Sequence, residues 1–289
     1  MKLGTTALLV VALFLSTGRE PLRAQECTPP PDSHEARLEA FFAAPLAFSP
    51  AAAPVRVAPG AVRIGGELVP IPAPDAVLEQ TGLCYEPKGE HTRLASVFAR
   101  PRVAVGLPAG LVFEGSYVPP ITIGEARVHL GSVALSVVRR LGRAAGGPLT
   151  AMLRTHATFG EIRGAVTCPE SALQESDPTL PCFGTHPSSD TFRPTTYGAE
   201  LSTGLSTARG RLDVYAGAGI NWLRPRFRAA FAEDDGDADN TLVVVNLTRG
   251  TLLGGLTFRP TPALDLSLQA YAVPADVTTF RFGAGVQLR

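Results

Sequence analysis

Two histidines and three serines are the residues in this chain best suited to chemistry, His129 and His156 as bases and Ser132, Ser136 and Ser202 as nucleophiles. A serine attacks only when a base takes its proton, and no Gly-x-Ser-x-Gly segment supplies that arrangement here. Histidines satisfied within a core are the plainer reading, and an enzyme is not expected. Carboxylates gather around Gly236, where Asp234, Asp235, Asp237 and Asp239 are the oxygen donors calcium would use. Their spacing departs from a calcium loop that ends in a glutamate, so an acidic solvated loop is expected, with no bound metal and no cofactor. Arg224, Arg226 and Arg228 alternate after Trp222. Their guanidinium groups match the paired oxygens of phosphate, as in lipopolysaccharide, or equally the carboxylates of the neighbouring acidic loop.

Cysteine usage points to an exported chain. Lys2 precedes an apolar run from Thr5 to Leu15 and then Leu22-Arg23-Ala24, so residues 1–24 read as a secretory signal. The run is too short to span a membrane as a helix, and no later stretch is apolar for long enough. An even count of cysteines in such a chain favours disulfides, Cys27 with Cys84 and Cys168 with Cys182. Their spacing does not suit zinc. Formal net charge is zero, which argues against nucleic acid as a partner.

The elements that would carry these residues alternate with a period of two. In Ala263 to Tyr271, Leu264, Leu266, Leu268 and Ala270 share one face, and Asp265, Ser267, Gln269 and Tyr271 share the other. Counting back from the C-terminus gives Thr278 to Leu288, Ala263 to Ala272, Leu242 to Phe258, Leu212 to Phe227, Tyr197 to Thr207, Leu149 to Ile162, Glu125 to Val138 and Arg102 to Val118. That is eight strands, with short Gly or Pro turns at one end and long polar loops at the other, as in an antiparallel up-and-down transmembrane β-barrel. Leu107-Pro108-Ala109-Gly110 read as a turn, with one more strand drawn from residues 55–69, gives ten instead. Val128 and Leu130 fall out of phase with Val133, Leu135 and Val137, so a bulge near Gly131 is expected.

Composition changes near residue 96. Residues 25–95 are rich in proline and alanine, with one helical candidate from Ser33 to Ala44, and read as a periplasmic extension or a segment packed into the barrel mouth; residues 96–289 are assigned to the barrel. With the apolar faces turned to lipid, the inward set is Glu114, Arg127, His129, Arg154, His156, Glu200, Asp213, Tyr215, Arg249, Asp265, Tyr271 and Arg281. Charges of both signs in an interior only wide enough for side chains should pair across it.

The signal peptide, the alternating strands and the asymmetry of turns and loops resemble the small bacterial outer-membrane β-barrel superfamily of the OmpA, OmpX and OmpW types. The resemblance is one of architecture, over about residues 101 to 289, without a family motif; the final strand ends Val286-Gln287-Leu288-Arg289 where that superfamily usually ends in an aromatic. It implies export to the outer membrane of a Gram-negative bacterium. The partners it implies are outer-membrane lipid, lipopolysaccharide and the barrel-assembly machinery, and the role a structural or narrow-pore one. Two alternatives make different predictions: a soluble secreted or periplasmic β-sandwich, whose apolar faces would be buried against each other, and a barrel enzyme acting on lipid A.

Overall fold

The computed structural model describes residues 25–79, 83–84, 92, 94–145, 147–207, 210–232 and 238–288. Ten strands close into one antiparallel ring: β1 (Val62–Pro70), β2 (Val97–Gly106), β3 (Leu111–Ile123), β4 (Ala126–Ala144), β5 (Gly147–Gly164), β6 (Thr196–Ser206), β7 (Leu212–Leu223), β8 (Leu247–Phe258), β9 (Leu264–Val273) and β10 (Val277–Leu288). Each strand pairs with its neighbour in sequence, and β10 returns to β1 with Val286 opposite Ile64. Closure leaves the ring no unpaired edge.

The expected eight strands are therefore ten. Leu107–Gly110 is the turn between β2 and β3, with Ala109 at φ 61° and Gly110 at φ 73°, left-handed backbone that a continuous strand cannot contain. β1 comes from the region assigned to the N-terminal extension, where residues 62–69 are free of proline and every backbone N–H is available to the ladder. The expected bulge also moves. β4 runs regularly through Gly131, and the register shifts instead in β3 between Val118 and Ile121, where Pro119 and Pro120 have no N–H to donate. Near the loop end two predicted strands divide. Beyond Pro225 the short strand Arg226–Arg228 pairs with Leu242–Val244 and with Asp190–Arg193, which in turn extends β5.

Long and short connections sort to opposite ends. The described parts of connections 71–96, 165–195 and 224–246 lie at one end with the brief turns after β3 and β9; those of 107–110, 145–146, 207–211 and 259–263 lie at the other. The outward face is apolar, with Ile64, Phe113, Leu135, Leu153, Leu201, Val214, Leu256, Leu268 and Phe282 among the exposed residues. A sandwich would bury such a face on a second sheet; here the wall is one closed sheet and its exposed side is the apolar one. That arrangement excludes the soluble sandwich. At the usual tilt, strands of ten to twelve residues cover a band about 25 Å tall.

The described chain preceding β1 occupies the lumen and its loop-end mouth. Helix α1 (His34–Ala43) starts at Ser33, whose hydroxyl accepts from the Ala36 N–H at 3.2 Å, and carries Glu35 in its first turn. Ala36, Ala40 and Ala44 are fully buried, and α1 packs Leu38 and Phe41 against the loop end of the barrel. After a short helical turn at Ala44–Leu46, the strap of residues 47–57 passes down the lumen to Val57 beside Gly106 at the turn end, from where the chain climbs again as β1. Glu26–Cys27 pairs in parallel with Leu242–Val243 at the loop end, and Cys27 is bonded to Cys84. The described part of the chain thus begins at the loop end and finishes at the turn end.

Candidate functional site

Composition explains why this strap fits. The interior of a ten-stranded barrel is narrow and lined by charge, so a segment threading it needs small side chains and few N–H donors. Residues 45–54, Pro-Leu-Ala-Phe-Ser-Pro-Ala-Ala-Ala-Pro, supply both. Their carbonyls are collected by the wall. Arg100 donates to Leu46 O at 3.0 Å and Ala47 O at 2.9 Å, Arg281 to Ala47 O at 3.0 Å and Pro45 O at 3.2 Å, Arg102 to Ser49 O at 2.9 Å, and Arg154 to Phe48 O at 3.1 Å. Lower down, Ser267 donates to Ala51 O, Thr150 to Pro54 O at 2.9 Å, and the Ala53 N–H to Thr257 Oγ1 at 2.9 Å.

Two carboxylates pair with the four arginines. Glu67 accepts from Arg100 at 2.9 Å and from Arg102, with Arg281 at 3.6 Å; Glu114 accepts from Arg102 at 2.6 Å and Arg154 at 2.7 Å. Phe48 stands among three guanidiniums, 4.1 Å from Arg102, 4.8 Å from Arg100 and 5.1 Å from Arg154. Each charge-assisted bond to a strap carbonyl contributes roughly 1.5 to 3 kcal/mol, so several together hold the strap firmly. A second ion cluster closes the turn end, where Arg259 bridges Asp213 at 2.5 Å and Asp265 at 2.8 Å, and Arg63 reaches Asp265 at 2.9 Å.

Among the residues read as inward from sequence, Glu114, Arg154, His156, Glu200, Asp213, Tyr215, Arg249, Asp265, Tyr271 and Arg281 line the lumen or its mouths. Arg127 and His129 do not: both are exposed, and His129 meets the Tyr117 hydroxyl at 3.2 Å on the outer surface. The inner face of β4 near the loop end is apolar because Ala126, Val128 and Leu130 pack with Leu46 and Phe98. An apolar inner face was mistaken for a lipid-facing one. Glu67, Arg100 and Arg102 were missed, the first two because their strands were not recognised.

Apart from His129, the nucleophile and base candidates are sealed in. His156 Nε2 lies 3.7 Å from Glu200 Oε1, and both side chains are fully buried in the wall, as are Ser132, Ser136 and Ser202. No group of three or more His, Cys, Asp or Glu residues that could hold a metal occurs among the described residues. Of the acidic loop, Asp234, Asp235 and Asp237 fall outside the described residues, and Asp239 belongs to a short hairpin in which it pairs with Phe231. Arg226 folds back on the Val245 carbonyl at 2.8 Å, whereas Arg224 and Arg228 are exposed. Both disulfides join the expected partners, Cys27 with Cys84 and Cys168 with Cys182. The latter clips the 165–195 loop, which Asp190 organises by accepting from Val166 N, Thr167 N, Ser188 Oγ and Ala230 N at 2.7 to 2.8 Å.

Wall and strap together define an antiparallel β-barrel with an apolar exterior and a lumen occupied by its own N-terminal segment. No family model matches the chain, and no curated protein matches it. Among solved structures it is similar to Ail, the attachment invasion locus protein of Yersinia pestis, with 10% identity and a TM-score of 0.32 over 80% of this chain and 99% of that one. It is also similar to Neisserial surface protein A, with 10% identity and a TM-score of 0.28 over 79% and 95% of the chains. The translocator domain of the autotransporter NalP from Neisseria meningitidis gives 9% identity and 0.34 over 82% and 90%. At these scores the likenesses carry no weight, and the barrel rests on its own strand pairing.

Proposed function

We propose that this protein is a plugged outer-membrane barrel with a structural role: it holds the disulfide-clipped loop platform at the cell surface and passes no solute of porin size. The observation that carries this reading is the strap of residues 45–54 lying along the lumen with its carbonyls held by Arg100, Arg102, Arg154 and Arg281. In this reading the chain performs no catalysis, and the assembly machinery and outer-membrane lipid are its partners. Arg224 and Arg228, exposed at the loop end, are its contacts for lipopolysaccharide phosphates.

Two measurements test the reading. The unboiled protein should migrate as a compact, heat-modifiable band and fractionate with the outer membrane. In planar bilayers the wild type should show no stepwise conductance, and the double variant Arg102→Ala, Arg154→Ala, which releases the strap, should show steps. Porin-sized conductance from the wild type sinks the proposal. An epitope tag inserted after residue 25 should be accessible on intact cells, because that end of the chain shares the loop end with Leu242, whereas a tag after Arg289 should require permeabilised cells.

A further inference from the structure

At the loop end a pocket of about 120 Å³ lies between α1, the segment leading into β2, and the ends of β3, β4 and β5. Its lining is almost wholly apolar, including Leu38, Phe42, Leu94, Phe98, Val128 and Phe192. Phe42, Leu94 and Phe192 pack against the buried core yet remain only half-buried. The wall is braced: the Glu125 N–H donates to the Leu94 carbonyl at 2.9 Å, and Leu94 lies where a side chain at Gly164 would have to go.

One lining residue does not belong in an apolar wall. Glu39, on α1, is about nine-tenths buried, and its Oε2 is sealed from solvent with no hydrogen-bond partner. A buried carboxyl oxygen without a partner costs roughly 1 to 3 kcal/mol. Asp190, the other acid at the pocket, has four donors of its own and is satisfied. Burial pushes the Glu39 carboxyl up to about 8, so at neutral pH it is an acid with a proton to donate.

We propose that this pocket binds a small, neutral, apolar molecule that carries one hydrogen-bond acceptor, with the ring or short chain against Phe42, Leu94 and Phe98 and the acceptor on Glu39. Size supports this class, since an apolar protein cavity of about 150 Å³ is known to hold a benzene ring. Neutrality follows from the lining: an ion brought among these side chains would lose its hydration, and among the described lining residues the carboxyl oxygen left without a donor is Glu39 Oε2. The inference is independent of whether the lumen conducts.

Acetophenone and ethylbenzene, which share a ring and differ by the carbonyl oxygen, are the probes. The full chain in lipid nanodiscs is titrated with each, with empty nanodiscs as the reference for partition into lipid. Acetophenone should bind saturably and about tenfold more tightly than ethylbenzene, the margin of one hydrogen bond. Glu39→Leu should remove that preference while ethylbenzene still binds, and Glu39→Gln, which keeps an N–H donor, should restore it. No saturable uptake above empty nanodiscs overturns the pocket as a binding site. The same preference in Glu39→Leu overturns the role of Glu39.

Discussion

The two halves of the lumen wall are built from similar residues and solve the burial of charge differently. Along β10, β1, β2, β3 and β5, Arg281, Glu67, Arg100, Arg102, Glu114 and Arg154 form one continuous network, and the surplus donors of the arginines go to the strap. Along β6 to β9, between the Arg259 cluster at the turn end and the Arg249–Asp276 pair at the loop end, the polar groups are neutral or isolated. Asn221 donates to the Tyr271 hydroxyl at 2.6 Å, yet Ser202 Oγ and Asn221 Oδ1, and both nitrogens of His156 facing them from β5, have no partner in hydrogen-bonding geometry. The Glu200 carboxyl sits beside Ser49 and His156 without closing a hydrogen bond to either. The strap leans mainly on the arginine half, with Thr257 and Ser267 its lighter contacts on the other. The comparison teaches that the arginine half carries most of the hold on the plug, while the opposite half adds two hydroxyl contacts and tolerates polar groups without a hydrogen-bond partner.

The largest expected effect comes from breaking the network at its centre. Glu67→Gln leaves Arg100, Arg102 and Arg281 buried with one carboxylate fewer, and removing one partner of a buried ion cluster costs about 3 to 5 kcal/mol. Fluorescence of Trp222, the single tryptophan, should report a lower urea midpoint in lipid vesicles. An unchanged midpoint would mean that the arginines are satisfied by the strap carbonyls alone.

Next comes the plug itself, above both halves. Glu39 is held neutral by burial, with its carboxyl at about 8 against an ordinary value of 4.5. Between those values the unfolded chain has lost a proton that the folded one keeps, so stability is highest below pH 4.5 and falls as pH rises toward 8. The slope from this one group is at most about 1.4 kcal/mol per pH unit. Glu39→Gln should flatten that decline, matching the wild type at pH 4 and exceeding it at pH 8. Urea midpoints measured at both pH values check this, and parallel declines for the two proteins would remove Glu39 as the cause.

Smaller still is the contribution of the ring at the centre of the guanidiniums. Phe48→Leu keeps most of the apolar burial and loses the aromatic face, an expected cost of about 1 to 2 kcal/mol. The temperature at which the folded band disappears on gels should fall modestly, and rare brief conductance openings should appear if the ring also fixes the strap.

How far the sequence announced these two halves depends on which face of each strand had a recognisable partner. Period-two alternation located β6, β7, β9 and β10 closely, because lipid on one side and charge on the other give every residue an unambiguous face; Leu264 to Tyr271 is an example. β4 failed near the loop end, since Val128 and Leu130 face α1 and Leu46, an apolar partner supplied by the same chain that no strand pattern can reveal. The strap lies in the proline-rich region read as a periplasmic extension or a segment packed into the barrel mouth. Its small residues and missing N–H donors are equally what a narrow charged lumen admits, and composition alone does not separate the two. Arg100 lies ahead of the strand start expected at Arg102, yet the strand runs from Val97 through Pro101, which stands opposite Gly66.

The sharpest test of the contrast is a substitution expected to do almost nothing. Glu200 is as buried as Glu67, on the same inner face, and a census of charges would weigh them alike. Their surroundings differ: Glu67 is bonded to two arginines, whereas Glu200 has the His156 imidazole at 3.7 Å. Changing Glu200 to glutamine keeps the shape, removes a charge whose burial is poorly repaid, and adds a donor beside Ser49. The expected urea midpoint is equal to or slightly above that of the wild type, within about 1 kcal/mol. A loss as large as that of Glu67→Gln would show that Glu200 anchors a network of its own, and the two halves of the lumen would then be one device instead of a holding side and a permissive one.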